Sequence, residues 1–246
     1  MLGKKVYSQN GLDFYEYPQR ILTNEEKDSS TNILVLGEIG KGKTTWINSL
    51  INYLHDIQLE EKGRYILCDE RGKKWDDIIE KPIVYNIEPT KLFMNPIRII
   101  DTPGFIDVRG IHYDKKIIDD IKNLLQGPDI NSINAICMFN HASDTRPKYL
   151  PFMMNYFTSL FGKEIINNII FIFTFAYDWE RMPALAMLKD KNNYFYEIFG
   201  EIKKIPYFQF DNHVYLERNS DDCIYERNNK SFINFLKYII SLKRAS

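Results

Sequence analysis

The chain has 246 residues, 44% apolar and 26% charged, which is the composition of an ordinary globular protein with enough length for one sizeable domain. A formal net charge of −1 gives no global pull toward nucleic acid or an anionic membrane, so neither is an expected partner. Cys68, Cys137 and Cys223 are scattered and odd in number, as are His55, His112, His141 and His213 in their spacing, which argues against a disulfide framework and a structural zinc site and for a reducing compartment.

Taken in order, the first ten residues lack an apolar core segment and carry glycine at position 3, so no secretory signal or myristoylation is expected. Residues 1–30 mix Tyr7, Phe14, Tyr15 and Tyr17 with charge and read as a poorly ordered lead-in, followed by a single domain over residues 31–246. Asn32 to Leu36 form an apolar run of strand length, and Gly37 to Thr45 follow it as GEIGKGKTT, which fits G-x-x-x-x-G-K-[ST]. In such a loop the backbone N–H groups of Gly37, Glu38, Ile39, Gly40, Lys41, Gly42, Lys43, Thr44 and Thr45 wrap a phosphate chain at the positive end of the next helix. Lys43 then meets the terminal phosphates, and the Thr44 hydroxyl ligates a Mg²⁺ bridging them. Trp46, Leu50 and Tyr53 give the following segment helical spacing.

A long connection follows, from about Asp56 to Pro96, with a charged stretch at Asp69 to Lys74 and one strand candidate, Ile83 to Ile87. Ile97 to Ile100 then run as a strand into Asp101, Thr102, Pro103 and Gly104. A carboxylate ending a buried strand holds Mg²⁺, often through water, and the Gly104 N–H is placed for a terminal phosphate. The phosphate loop and this second motif, in that order and each behind an apolar strand, reinforce one another.

Beyond them, Ile117 to Leu125 show a helix face, Ile133 to Phe139 a strand, Leu150 to Phe161 a helix, and Ile169 to Phe175 a buried strand. Leu185 to Ile202 read as a broken helical region, and Tyr207 to Phe210 as the last strand. Ser231 is placed to cap a final helix with Phe232, Phe235, Leu236, Ile239 and Ile240 on one face, while Lys237, Lys243 and Arg244 permit a membrane-surface role. The longest apolar run, Ile169 to Ala176, is only strand-sized, so a cytoplasmic protein is expected. Short apolar strands alternating with helices predict an α/β fold with a mostly parallel central sheet, helices on both faces, and ligand at the strand C-terminal ends.

The whole pattern resembles the septin-like and immunity-associated (GIMAP, or Aig-type) P-loop GTPases of the translation-factor-related class. The likeness spans roughly Asn32 to Phe210 and rests on GEIGKGKTTWINSL, IIDTPGF, FIFTFAYDW and the sequence Phe210-Asp211-Asn212. It implies a G domain binding GTP or GDP with Mg²⁺ held by Thr44 and Asp101. It further implies that Asp178 reads guanine, that Asn212 lines the base pocket, and that Trp179 or Tyr177 stacks beside it. Asp178 as an ordinary surface acid and Asp211-Asn212 as a plain turn stay open as alternatives.

Two departures bear on chemistry. No threonine occurs between Thr45 and Tyr85, and the later Thr90 falls in a hairpin turn, so the switch threonine that closes over Mg²⁺ has no clear counterpart. Phe105 follows Gly104 where many small GTPases carry a water-orienting glutamine, and an aromatic ring there is expected to turn away. Relatives of this kind pair through their nucleotide faces. A homodimer is therefore expected in which Arg109 completes the catalytic set with Lys43, unless Arg109 is only a solvated loop residue. Slow GTP hydrolysis by a switch or self-assembling protein is the leading expectation, beside a GTP-binding scaffold with almost no turnover and an ATP-dependent P-loop enzyme.

Overall fold

The computed structural model describes residues 3–67, 81–105, 111–145, 149–190, 206–218 and 221–245. Its centre is a six-stranded sheet in the order β5-β6-β3-β7-β8-β9, made by Ile83–Ile87 (β5), Ile97–Asp101 (β6), Thr31–Gly37 (β3), Ala135–His141 (β7), Ile169–Thr174 (β8) and Tyr207–Gln209 (β9). All neighbours run parallel except the edge strand β5, which is antiparallel to β6. Strands β3, β6 and β8 are buried at every position, because helices cover both faces of the sheet and leave no polar side to alternate with.

On one face lie α2 (Lys43–Leu54) and the last helix, α6 (Asp222–Ser241). Their core centres on Trp46, whose ring meets Phe139, Phe210, Phe232 and Phe235 at centroid distances of 5.3 to 6.0 Å. On the other face α3 (Ile111–Leu125), α4 (Leu150–Phe161) and the short α5 (Pro183–Leu188) close over Leu34, Leu36, Ile136, Met138, Phe171 and Phe173. The expected α/β architecture is thus the observed one.

Residues 1–30 are more structured than their pattern predicts. Strands β1 (Lys5–Gln9) and β2 (Leu12–Glu16) form a hairpin, and α1 (Asn24–Ser29) carries a capping box between Thr23 and Glu26. The signals were local: Asn10 and Gly11 both have positive φ, as the two-residue hairpin turn requires, and Thr23-x-x-Glu26 is a helix-start motif. Strand β4 (Gly63–Ile66), inside the long connection, pairs with β2 in a separate three-stranded sheet. Its other edge is covered by α2 side chains: Tyr65 and Leu67 donate their N–H groups to Asn52 and Asn48 at 2.8 Å each, and Asn52 donates back to the Tyr65 carbonyl.

The final helix starts nine residues before Ser231. Asp221 is its cap, accepting from the Cys223 N–H at 2.8 Å, and Ser231 is buried in mid-helix. Of the broken helical region predicted for Leu185 to Ile202, Pro183–Leu188 is helical, and residues 191–202 lie outside the described residues, as do the charged stretch 69–77 and Arg109.

Candidate functional site

Three chain segments meet at the C-terminal end of the parallel strands. First is the loop leaving β3. Gly40 and Gly42 adopt φ of 77° and 76°, the left-handed region where side chains are strained, and Gly42 caps the N-terminus of the 12-residue α2. Lys43 is buried and donates from Nζ to the carbonyls of Gly37 and Glu38 at 3.1 Å, lying back across the loop that it closes. The glycine turns, the helix start and the inward lysine together form the cradle that a phosphate chain requires.

The second segment leaves β6, next to β3. Val35 pairs with Asp101, whose side chain is buried, and the Thr102 hydroxyl donates to the Val35 carbonyl at 2.7 Å. Pairing continues past the strand ends: the Phe105 N–H donates to the Gly37 carbonyl at 3.1 Å, and the Ile39 N–H to the Phe105 carbonyl at 3.3 Å. Gly104 is thereby pressed onto Ile39, so closely that a Cβ there would lie 2.4 Å from Ile39 Cγ1. The Phe105 ring turns into the core and stacks on Tyr149 at 6.1 Å, away from the cradle. Thr90 sits at the opposite pole, since β5 runs antiparallel and Ile87 pairs with Ile97 at the start of β6. Its hydroxyl accepts from the Phe93 N–H in the hairpin turn, so Thr90 has no path to a metal beside Thr44.

The third segment comprises the exits of β8 and β9. Thr174 donates from Oγ1 to the Lys41 carbonyl at 2.8 Å, and the Phe175 ring reaches to 3.4 Å from where a Gly42 Cβ would stand. Phe175 has a φ of +54°, an uncommon backbone state for an aromatic residue, and its ring stacks on His141 at 4.6 Å. Tyr177 stacks on His213 at 6.1 Å, which pairs with the buried Asp211 at 3.2 Å. Asp178 is exposed, and its Oδ1 accepts from the N–H groups of Glu180 and Arg181, a local turn that orients the carboxylate. Trp179 packs instead beneath Arg227, whose guanidinium lies 5.9 Å from the ring centre. Asn212 opens a short 3₁₀ turn, Asn212–Tyr215, and its Oδ1 is buried with no hydrogen-bond partner among the described residues.

Sequence reasoning placed Lys41 in the loop but missed its side-chain partners and the two histidines here. Lys41 pairs with Asp144 of the loop after β7 at 2.7 Å and with Glu38 at 3.4 Å. Burial works to lower the Lys41 pKa, but the hydrogen bond it donates to Asp144 and the charge of Glu38 outweigh it and hold the ammonium above its ordinary range. Burial, aided by the Lys41 charge, pushes His141 down. His141 and His213 carried no spacing signal, because they are 72 positions apart and only the sheet brings both to Phe175.

The donor set suits a hard cation. Thr44 lies in the first turn of α2 and offers a hydroxyl, and Asp101 offers a buried carboxylate at the end of the adjacent strand, the all-oxygen chemistry that Mg²⁺ prefers. Among the described residues no group of three or more His, Cys, Asp or Glu side chains is arranged to hold a metal by itself. None of the described helices is long and apolar enough to cross a membrane.

Comparison with known proteins agrees with this geometry. Solved structures of Toc33 from Arabidopsis thaliana share the fold. The one in complex with GDP and Mg²⁺ superposes with a TM-score of 0.58 at 19% identity, covering 90% of this chain and 89% of that one. The one in complex with Mg²⁺ and GMPPNP gives 0.57 at 19% identity over 90% of both. A further match is to a structure described under the statement that dimerization is important for the GTPase activity of atToc33 and psToc159, with a TM-score of 0.55 at 18% identity over 87% of this chain and 84% of that one. GTP-binding protein A of Dictyostelium discoideum is 25% identical over 145 residues, which is 59% of this chain but only 28% of that protein's length. The fold is that of a P-loop NTPase, and residues 31–222 match the model of one family over most of the chain: this protein belongs to the AIG1 family.

Proposed function

We propose that this chain is a Mg²⁺-dependent guanine-nucleotide-binding protein that hydrolyses GTP slowly. The observation that carries the reading is the convergence, at one end of the sheet, of the phosphate loop, the Asp101-to-Gly104 segment and the Thr174-to-Asp178 and Asp211-to-Asn212 exits. AIG1 membership and the guanine nucleotides in the Toc33 structures support it. Loop residues Gly37 to Thr45 hold the phosphates, with Lys43 as the point charge, and Thr44 and Asp101 hold the metal. Bound Mg²⁺ supplies charge neutralisation at the β- and γ-phosphate oxygens. Gly104 offers its N–H to the terminal phosphate. Asp178, its carboxylate oriented by the turn, and Asn212, with its orphaned buried oxygen, take the base.

The reason for slowness is that the group following Gly104 is a core phenyl ring and Thr90 is at the far pole, so this chain's described residues supply no side chain at the usual water-orienting positions. A second copy, docked through the nucleotide face, completes the site, with Arg109 as the residue delivered in trans. A trans arginine is worth about 10³ to 10⁵ in rate. Phosphate release, measured over a wide range of protein concentration for the parent and Arg109→Ala, tests this. Specific activity rises with concentration in the parent and stays low in the variant, whose GTP affinity is unchanged. A flat parent profile rejects assistance by dimerisation, and no turnover at any concentration leaves a GTP-binding scaffold. Equal competition by ATP and GTP overturns the guanine reading.

A further inference from the structure

The five residues Asp211 to Tyr215, which bear Asn212, are held by side chains from three other elements. From α6, Asn228 accepts from the Asp211 N–H at 3.0 Å through Oδ1 and donates to the Asp211 carbonyl through Nδ2, so that one carboxamide replaces a strand partner. From α2, the Ser49 hydroxyl reaches the Asn212 carbonyl at 3.5 Å. From β4, Arg64 donates from Nε to the Tyr215 carbonyl at 3.1 Å, and its other N–H groups go to the carbonyls of Glu61, Gly63 and Leu59 at 2.7 to 3.1 Å.

Asn228 is fully buried and Arg64 is 1% exposed. Burying an amide is unfavourable unless its hydrogen bonds are met, and burying a guanidinium among neutral carbonyls is more so. Asn228 is spent wholly on this backbone and Arg64 through its Nε, because a single 3₁₀ turn has poor internal hydrogen-bond geometry and its own bonds around Asp211 and His213 are short-range. What that backbone presents is the buried Oδ1 of Asn212, which has no hydrogen-bond partner among the described residues. Apolar side chains would have packed α6 as well, but they would not have fixed the height and angle of this segment. Asn228 also lies beyond residues 31–222, the portion matched by the family.

We propose that Asn228 and Arg64 are positioning residues of the base site: they set the segment that carries Asn212, and so the preference for guanine, without touching nucleotide. This rests on the guanine-nucleotide reading above. It separates two halves of the ligand, because Asn228 holds the base side, whereas Lys43 and the glycine turns hold the phosphates from β3 and α2.

The test is calorimetry with Mg²⁺ on the full chain, using GDP, IDP, ADP and tripolyphosphate as ligands, with melting followed in parallel. Loss of the two hydrogen bonds from Asn228, at about 1 kcal/mol each, corresponds to roughly thirtyfold in affinity when the segment is needed for binding. In Asn228→Ala, GDP affinity falls by about that factor, the preference for GDP over IDP narrows, and tripolyphosphate binds as in the parent. Equal losses for GDP and tripolyphosphate, or an unchanged GDP to IDP ratio, would overturn the proposal and leave Asn228 a packing residue. Should Asn228→Ala fail to fold, Arg64→Lys, which keeps the charge and loses the planar fork, is read by the same ratios. A parent that binds ADP as tightly as GDP refutes instead the guanine reading itself, a result visible before any variant is made.

Discussion

Replacing Gly104 by alanine adds one methyl group at the tightest point of the site. The new Cβ would stand 2.4 Å from Ile39 Cγ1 and 2.8 Å from the Ile39 Cα and N, where ordinary contact begins at 3.4 Å. Rotation of the isoleucine relieves only the first clash. The other two are with backbone, so the phosphate loop and the Asp101-to-Phe105 segment must part by roughly 0.6 Å or more. The hydrogen bonds joining them, Phe105 N–H to Gly37 carbonyl at 3.1 Å and Ile39 N–H to Phe105 carbonyl at 3.3 Å, then stretch past useful length. Each contributes about 0.5 to 1.5 kcal/mol and overpacking costs about 1 to 3 kcal/mol, so the expected loss is about 2 to 6 kcal/mol. For a domain of this size that lowers Tm by about 4 to 24 °C. Gly40→Ala is the comparison: nothing lies within 4 Å of its Cβ, and only the positive φ is strained, at about 1 to 2 kcal/mol. Differential scanning calorimetry of both variants, with GTP titrated against each, reads the result. A Gly104→Ala protein melting within 2 °C of the parent (about the resolution of such a comparison) and binding GTP unchanged would show that the two segments are not locked together.

Lys43→Ala removes a charge-assisted contact of about 1.5 to 3 kcal/mol with phosphate, so GTP binding by calorimetry should weaken at least about tenfold, while the nucleotide-free protein still folds with a lower melting temperature, having lost the two Nζ bonds to the Gly37 and Glu38 carbonyls. Asp178→Asn should move nucleotide preference from guanine toward xanthine in a competition assay, and unaltered discrimination would return Asp178 to its turn. His55 lies between Tyr17 and Tyr65 at 5.2 and 5.1 Å, and burial holds its pKa below the ordinary 6.5. The folded state therefore binds fewer protons than the unfolded one in that window, so stability is full above about pH 6.5 and falls on acidification below it. Tm measured from pH 7.5 to 5.5 (spanning the ordinary histidine range) should drop more steeply for the parent than for His55→Phe, and parallel curves would refute the assignment.

Much of the site was legible because it is written in contiguous residues. Gly37 to Thr45 and Asp101 to Gly104 each need a particular backbone next to a buried strand, and β3 and β6 appeared within one residue of their expected ends. Local signals also existed for elements that the pattern reading passed over, such as Asn10-Gly11 and Thr23-x-x-Glu26, but each is only a few residues long and lacks the apolar periodicity that extends a motif into an element. No single-chain pattern could show that β4 leaves the main sheet for the N-terminal hairpin, because Asn48 and Asn52 satisfy its edge from a helix. Nor could it place Thr90, whose position depended on the antiparallel direction of β5. The sequence determined at which end of the sheet the candidate site lies, through short-range constraints on glycine, lysine and carboxylate. The tertiary structure alone decided what surrounds it: the Phe105 bridge, the Lys41 to Asp144 pair, the rings around Phe175, and the grip of Asn228 and Arg64 on Asp211 to Tyr215. Those contacts join residues as far apart as 151 positions, and they form because the parallel strands deliver their exits to one edge, against which the last helix and the separate β1-β2-β4 sheet then pack.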